Sequence, residues 1–351
     1  MKFIHIADLH LGVKPDAGSA YSKKRPDEIW DSIKKIIEIC KNEKTELLLI
    51  AGDIFHRQPL LRELKEMNSV LASAVDTEVV MIAGNHDFIK KDSYYRSFRW
   101  ADNVHMILDD KISCVELEKI QTAVYGCSYH KREIKDAVFD KAFPKKRQKY
   151  EILLAHGGDE KHIPFQYRSL AELGYDYVAL GHIHMPQILI ENQVAYAGAL
   201  EPVDTGDTGA HGFMAGEITE QGCRIQFVPF ASRQYIHMDV EVNRKMTGYL
   251  LKNQIRKQIE DLGVQNIYKI TLTGFRDPDM IYNLEDMDPC GNIVGITDHT
   301  KPAYQLQKLM EENRDNILGQ FIESLNGNDQ DSIEYQALCE GVQALMETRR
   351  G

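Results

Sequence analysis

Five short apolar runs in this chain each end in a glycine, a carboxylate, an amide or a histidine, and that recurrence limits the fold more than any bulk property does. Leu47-Leu48-Leu49-Ile50-Ala51 runs into Gly52-Asp53-Ile54-Phe55-His56. Phe3–Ala7 leads to Asp8-Leu9-His10, Val79–Ala83 to Gly84-Asn85-His86-Asp87, Ile152–Ala155 to His156, and Tyr177–Leu180 to Gly181-His182-Ile183-His184. Uninterrupted runs of this length suit strands buried on both faces, and open α/β sheets present binding groups at the carboxyl ends of such strands. Between the first three runs lie two helical patterns. Pro26 opens one, with Ile29, Ile33, Ile36 and Ile37 on a single face, and Pro59 opens the other, with Leu60, Leu64, Met67, Val70 and Leu71. Alternation of strand, helix and strand predicts parallel strands joined by right-handed crossovers.

The rest of the chain reads as shorter pieces. Val104–Leu108, Ile112–Leu117 and Thr122–Tyr125 are β-type, and Gln187–Ile190, Ala195–Ala197, Phe213–Ile218 and Arg224–Val228 suggest hairpin-like strands of a second sheet packed on the first. Around Phe230–Gln234 the character changes. Tyr235–Val242, a helix with Leu251, Ile255, Ile259 and Leu262 in phase, and Ile267–Thr273 read as a small βαβ module. Arg276–Thr300, rich in Asp, Pro and Gly, reads as a looser stretch. Leu306, Leu309, Met310, Ile317, Leu318, Phe321, Ile322 and Leu325 then predict one helix with a continuous apolar stripe. After a turn at Gly327-Asn328-Asp329, a second helix carries Tyr335, Leu338, Val342, Leu345 and Met346. Such a terminal pair has three options: to pack on its own domain, to form a homodimer, or to lie against a partner's helices.

A chain of 351 residues is long enough for a sizeable core with one or two smaller modules. No apolar run approaches the roughly 20 residues of a membrane span. The start flows directly into a strand without a signal-peptide pattern, and the six cysteines are scattered without close pairs. Reduced thiols and a cytoplasmic location are the expectation. The formal charge of −11 argues against a free-standing nucleic-acid binder. Between Lys131 and Lys149, however, eight lysines and arginines face three acidic residues. Lys145, Lys146 and Arg147, together with Lys90, Lys91, Arg96 and Arg99, are the candidate contacts to phosphate; an ordinary solvated helix is the other reading of the Lys131–Lys149 segment.

Collected, the candidate ligands are Asp8, His10, Asp53, Asn85, His156, His182 and His184. Carboxylate oxygens, an amide oxygen and imidazoles, with no thiolate, suit two divalent ions: Mn²⁺ first, with Fe²⁺ or Zn²⁺ of the same class. One intervening residue in Asp8-x-His10 and in His182-x-His184 lets two side chains of one loop reach neighbouring positions. Asp53 has two oxygens and can bridge ions roughly 3.5–4 Å apart. Such a pair polarises a phosphoryl oxygen and brings the pKa of water toward about 7, which is what phosphodiester hydrolysis needs. Each motif alone has a plain alternative as turn or loop chemistry; the ordered set of five does not.

Asp8-x-His10, Gly52-Asp53-x-x-His56, Gly84-Asn85-His86-Asp87, His156-Gly157 and Gly181-His182-x-His184 resemble the five-motif signature of calcineurin-like metallophosphoesterases. More narrowly, Ala7–Gly12, Gly52–His56 and the run Tyr196-Ala197-Gly198-Ala199-Leu200-Glu201-Pro202 resemble the SbcD-type DNA repair exonuclease branch. The resemblance implies a four-layer α/β/β/α phosphoesterase domain over residues 1–230, a capping domain and linker over 231–299, and a helical pair over 300–351. It implies that Asp8, His10, Asp53 and His184 hold one metal ion and that Asp53, Asn85, His156 and His182 hold the other. His86 becomes the general acid or phosphate-orienting group and His56 a group that positions the scissile phosphate. Asp87 either orients His86 or caps a turn. The implied function is a dimetal exonuclease and endonuclease acting on DNA, with an SbcC-like coiled-coil ATPase as partner on the terminal helices. A phosphatase or cyclic-nucleotide phosphodiesterase on the same fold is the rival.

Overall fold

Every residue of the run Leu47–Ala51 is buried, so this strand needs cover on both faces. The computed structural model, which describes residues 1–325, 327 and 332–350, supplies that cover with a helical layer on one side and a second sheet on the other. The chain divides into two compact units, Met1–Ile236 with Gln265–Ile267, and His237–Val264 with Tyr268–Gly351.

In the first unit the strands are β1 (Lys2–Ile6), β2 (Leu47–Ala51), β3 (Glu78–Ile82), β4 (Val104–Met106), β5 (Ser113–Leu117), β6 (Thr122–Gly126), β7 (Tyr150–His156), β8 (Tyr177–Gly181), β9 (Gln187–Ile190), β10 (Val194–Tyr196), β11 (Gly212–Thr219) and β12 (Gly222–Pro229). Helices α1 (Arg25–Glu43), α2 (Leu61–Ala72) and α3 (Tyr167–Glu172) accompany them. One six-stranded sheet has the order β12-β11-β1-β2-β3-β4 and the other β5-β6-β7-β8-β10-β9. As expected, β1, β2 and β3 run parallel, and so do β7 and β8.

Side chains alternate between the faces of a strand, and that alternation builds the layers. Ile4, Ile6, Leu48, Ile50, Val79 and Met81 pack with Ile29, Ile33 and Ile36 of α1 and Leu64 and Met67 of α2. Their neighbours Phe3, Leu47, Leu49, Val80 and Ile82 turn the other way and meet Val124, Ile152, Leu154, Tyr177 and Ala179 of the second sheet. Tyr125, Leu153, Ala155, Val178 and Leu180 face outward beneath Tyr129, Phe139 and Leu170. The result is the α/β/β/α sandwich.

Two expectations change here. Phe213–Ile218 and Arg224–Val228 belong to the first sheet, not the second: β11 lies antiparallel beside β1, from Lys2↔Glu217 to His5↔Met214, and β12 forms the edge. The Lys131–Lys149 segment is not a helix; it is irregular chain with Phe139 buried, and among the described residues only the short α3 covers the outer face of the second sheet as regular structure.

The run Tyr196–Pro202 has a structural explanation. Glu201, buried, accepts hydrogen bonds from Ser32 Oγ (2.6 Å), Ser232 N–H (2.7 Å) and the buried guanidinium of Arg25 (3.2 Å), which also donates to the carbonyl of Pro202 (2.9 Å). A buried charge must be paired and hydrogen-bonded, and here the pairing pins the chain after β10 to α1.

In the second unit β13 (Tyr235–Val242), β14 (Ile267–Arg276) and β15 (Ile293–Asp298) form a sheet in that order, and β16 (Lys301–Pro302) pairs with β14. Helix α4 (Gly248–Leu262) buries Leu251, Ile255 and Ile259. The stretch read as loose therefore contributes a strand, β15, parallel to β14. The single helix expected over 306–325 is two, α5 (Leu306–Glu312) and α6 (Ile317–Leu325). Asn and Asp side chains compete for backbone groups. Asn313 Nδ2 donates to Leu309 O (2.8 Å), and Asn316 Oδ1 accepts from Leu318 N–H (2.9 Å), ending one helix and starting the next. Helix α7 (Ile333–Arg350) packs Leu338 and Val342 on Leu318 and Ile322. Of the turn expected at Gly327-Asn328-Asp329, Asn328 and Asp329 lie outside the described residues.

Candidate metal centre

Parallel strands from both sheets end at one place, and each brings candidate ligands there. The loops after β1 and β2 zip together past the strand ends. Asp8 N–H donates to Gly52 O (3.1 Å), His10 N–H to Asp53 O (3.0 Å) and His56 N–H to Leu11 O (3.1 Å). Gly157 N–H donates to Gly181 O (3.1 Å), joining the ends of β7 and β8. The packing is close enough that a side chain at Gly52 would collide with the His156 ring, and one at Gly181 with the carbonyl of Ala51.

The backbone carries strain at these positions. Asp8 (φ 51°), His10 (φ 45°), Asp53 (φ 49°) and His182 (φ 100°) all have positive φ, a region that non-glycine residues enter at a cost of roughly 1–3 kcal/mol each. Four of the seven sequence-predicted ligands share this feature.

All seven come together. Asp53 Oδ2 lies 3.5 Å from His156 Nε2 and 3.9 Å from His10 Nε2, while Asp53 Oδ1 accepts the N–H of His86 (2.8 Å). Asp8 accepts the N–H of His182 at 3.1 and 3.0 Å and lies 3.9 Å from His156 Nδ1. Asn85 Oδ1 is 2.9 Å from His156 Nε2 and 3.1 Å from His182 Nδ1, and the Nε2 atoms of His10 and His184 face each other at 3.0 Å. Two buried carboxylates therefore sit among converging imidazole nitrogens, and among the described residues their ion-pair partners are histidines only. Buried negative charge needs a cation, and these nitrogen and oxygen donors fit divalent ions.

The same residues match a known family. Residues 1–186, more than half of the chain, fit the description calcineurin-like phosphoesterase. The chain belongs to that family. It is similar to the uncharacterized metallophosphoesterase YhaO of Bacillus subtilis, at 26% identity over 65% of this chain and 60% of that one. It resembles the DNA double-strand break repair protein Mre11 of Methanocaldococcus jannaschii at 29% identity over 57% of each chain. It also resembles the SbcD subunit of the nuclease SbcCD from Staphylococcus saprophyticus, at 23% identity over 99% of each chain. The match to the first two thus spans 60% and 57% of their lengths.

For a calcineurin-like phosphoesterase the electrostatics of these residues divide in a useful way. Burial lowers His10 to about 3 and His182 to about 4, so both rings are neutral near pH 7. Burial opposes the charged form of His156 and His184 too, but Asp53 beside the first and Asp207 beside the second outweigh it and raise each to about 9. Burial lifts Asp8 to about 6, whereas Asp53, though equally buried, is held below the carboxylate range by His156 and His10.

His86 and His56 form the rim. The His86 ring lies 4.8 Å from His10 and 5.0 Å from His56, centre to centre, and its Nδ1 is 3.2 Å from the carbonyl of His56. That contact leaves Nε2 as the ring nitrogen able to pass a proton. His56 Nδ1 is 3.4 Å from His10 Nδ1. Asp87 does not orient His86: its carboxylate accepts from Gly84 N–H (2.8 Å), Phe55 N–H (3.2 Å) and Tyr95 OH (2.7 Å), tying the loops after β2 and β3 together.

The basic residues are separated. Exposed Lys90 and Lys91 follow β3 on the metal side, with Lys90 over the Phe88 ring at 5.3 Å and its carbonyl accepting from Arg96 Nε (2.9 Å). Lys145, Lys146 and Arg147 precede β7, whose last residue is His156, so the length of that strand, ~20 Å at ~3.3 Å per residue, lies between them and the site. Arg147 pairs with Glu116 (2.6 Å).

Sequence reasoning missed two carboxylates. Asp159 Oδ2 lies 2.7 Å from His182 Nε2, and both oxygens of Asp207 lie 3.1 Å from His184 Nδ1. Each sits beside glycine, in Gly157-Gly158-Asp159 and Gly206-Asp207, where the local pattern reads only as a turn.

Proposed function

We propose that this chain is a two-metal phosphodiesterase that cleaves DNA, of the SbcD type. Asp8, His10, Asp53 and His184 would hold one ion, and Asp53, Asn85, His156 and His182 the other, with Mn²⁺ the first candidate and Fe²⁺ or Zn²⁺ its rivals. The observation that carries this reading is the placement of the Asp53 carboxylate, which faces one histidine from each set within 4 Å. When bound, two such ions supply Lewis acidity to the phosphoryl group and acidify water. The chain's own residues do the rest. The carboxyl ends of five strands fix the ligand positions, His56 lines the approach, and His86 Nε2 hands a proton to the leaving oxygen, a task suited to imidazole. Lys90 and Lys91 offer charge to the flanking phosphates.

DNA as substrate rests on the likeness to proteins named as Mre11 and as the SbcD subunit of SbcCD. The same likeness supports an SbcC-like coiled-coil ATPase as partner, docked on the 300–351 helices, where Ile317 and Ile333 are exposed. Labelled single- and double-stranded DNA and a generic phosphodiester dye, each with Mn²⁺, test the function. DNA is cut and Asp53→Asn abolishes cutting while the fold survives. Hydrolysis of the dye without DNA cleavage would favour the small-molecule phosphodiesterase, and wild-type turnover by Asp53→Asn would remove the dimetal reading.

A further inference from the structure

We infer that Asp159 and Asp207 are the positioning residues of the two histidines in His182-Ile183-His184, each setting which ring nitrogen faces the metal pocket, and that they serve different ions. This rests on the two-metal reading above. Although a single residue separates the two histidines, they present opposite nitrogens to the pocket. His182 turns Nδ1 to Asn85 (3.1 Å) and Nε2 to Asp159 (2.7 Å). His184 turns Nε2 to the Nε2 of His10 (3.0 Å) and Nδ1 to Asp207 (3.1 Å). A neutral imidazole carries one N–H, so donating it to a carboxylate leaves the lone pair on the other nitrogen. Opposite carboxylate placement is what gives one short motif two opposite tautomers.

Both carboxylates are anchored before they meet their histidines. Asp207 Oδ2 accepts from Val203 N–H (2.9 Å) and Asp204 N–H (3.1 Å), and Asp159 Oδ1 from Lys161 N–H (2.7 Å) and His162 N–H (2.9 Å). A carboxylate fixed by its own turn can fix a ring in its turn, whereas a floppy one cannot. The two brackets differ in strength. The Asp207 side chain is 11% exposed and bonds His184 through both oxygens. That of Asp159 is 45% exposed and is shared with His162 Nδ1 (2.9 Å). Low dielectric strengthens the first and solvent weakens the second. Asp159, His162 and His182 also lie close enough to hold an ion among themselves, so the test separates a bracket from a ligand.

The full chain, stripped of metal, is titrated calorimetrically with Mn²⁺ at pH 8.5, and bound manganese is counted by mass spectrometry. The parent takes two ions. Asp207→Asn weakens one of them by about 10–100-fold, the usual scale for removing such a partner, and Asp159→Asn weakens the other by less. In a His184→Ala background Asp207→Asn costs nothing further, and in a His182→Ala background Asp159→Asn costs nothing further; a merely structural role would not disappear this way. Thermal unfolding of the metal-free variants checks the fold, and if Asp207→Asn does not fold, Asp207→Glu, which keeps the carboxylate but shifts it, is titrated instead. Parental affinity in both Asn variants, or an undiminished loss in the histidine-free backgrounds, overturns the inference. So does a third bound ion that His162→Ala removes. A parent that binds fewer than two ions overturns the two-metal reading itself, a different result from two tight ions that ignore Asp207.

Discussion

Metal binding to this site should depend steeply on pH, and the slope follows from two histidines. Before metal arrives, His156 and His184, each raised to about 9, carry a proton at pH 7. His156 Nδ1 faces the carbonyl of Ala51 (2.8 Å) and His184 Nδ1 faces Asp207, so in both rings Nε2 is the nitrogen that must give up its proton to ligate. A raised pKa means that the competing proton is present below about 9 and gone above it. Affinity therefore rises with pH, about tenfold per unit for each ion, and flattens near pH 9. Between pH 7 and pH 9 the change is about 50-fold per ion, or about 2.3 kcal/mol at 1.36 kcal/mol per unit. One of the two histidines sits in each proposed ligand set, so both ions weaken together on acidification. Below pH 6 Asp8, at about 6, adds a second proton to its ion and the slope doubles there. Calorimetric titration with Mn²⁺ from pH 6 to 8.5, in buffers of different ionisation enthalpy, reads both affinity and proton release. We expect about two protons released per chain at pH 7. Affinity that is flat across pH 7–8.5, or binding without proton release, would refute the reasoning.

The rim and the basic residues make separate predictions. His86→Ala should retain both manganese ions while turnover falls about 10²–10⁴-fold, the scale of one acid–base group; loss of metal in parallel with rate would make His86 a ligand instead. Neutralising Lys90 and Lys91 should weaken binding of DNA of any sequence and flatten the log–log salt dependence by roughly 0.9 per lost phosphate contact. Neutralising Lys145, Lys146 and Arg147 should flatten it only for duplexes long enough to cover the ~20 Å from the site to the far end of β7. A slope unchanged even on long duplexes would leave those three as solvated surface.

Much of the site was legible because its information is local. A strand buried on both faces must be an apolar run, as at Leu47–Ala51, and a candidate ligand such as Asp53 stands out within a few residues of its end. Reading five such junctions in order singles out Asp8, His10, Asp53, Asn85, His156, His182 and His184 as candidates, and the structure gathers them at one end of two sheets. The first three parallel strands and helices α1 and α2 follow from the same periodicity, whereas α3 does not stand out in the sequence.

What stayed hidden depends on partners far away in the chain. The run Gly212–Thr219 is as β-like as any other, and only tertiary pairing sends it beside β1, more than two hundred residues earlier, instead of into the second sheet. Lys145 and Lys90 are alike as exposed lysines; they differ by which end of a strand their loop occupies. Asp159 and Asp207 look like turn carboxylates until the fold brings His182 and His184 against them. Backbone propensity and apolar periodicity act over a few residues and are written along the chain. The tautomer of an imidazole is decided by whatever lies 3 Å from its other nitrogen, and that neighbour exists only once the sheets have packed.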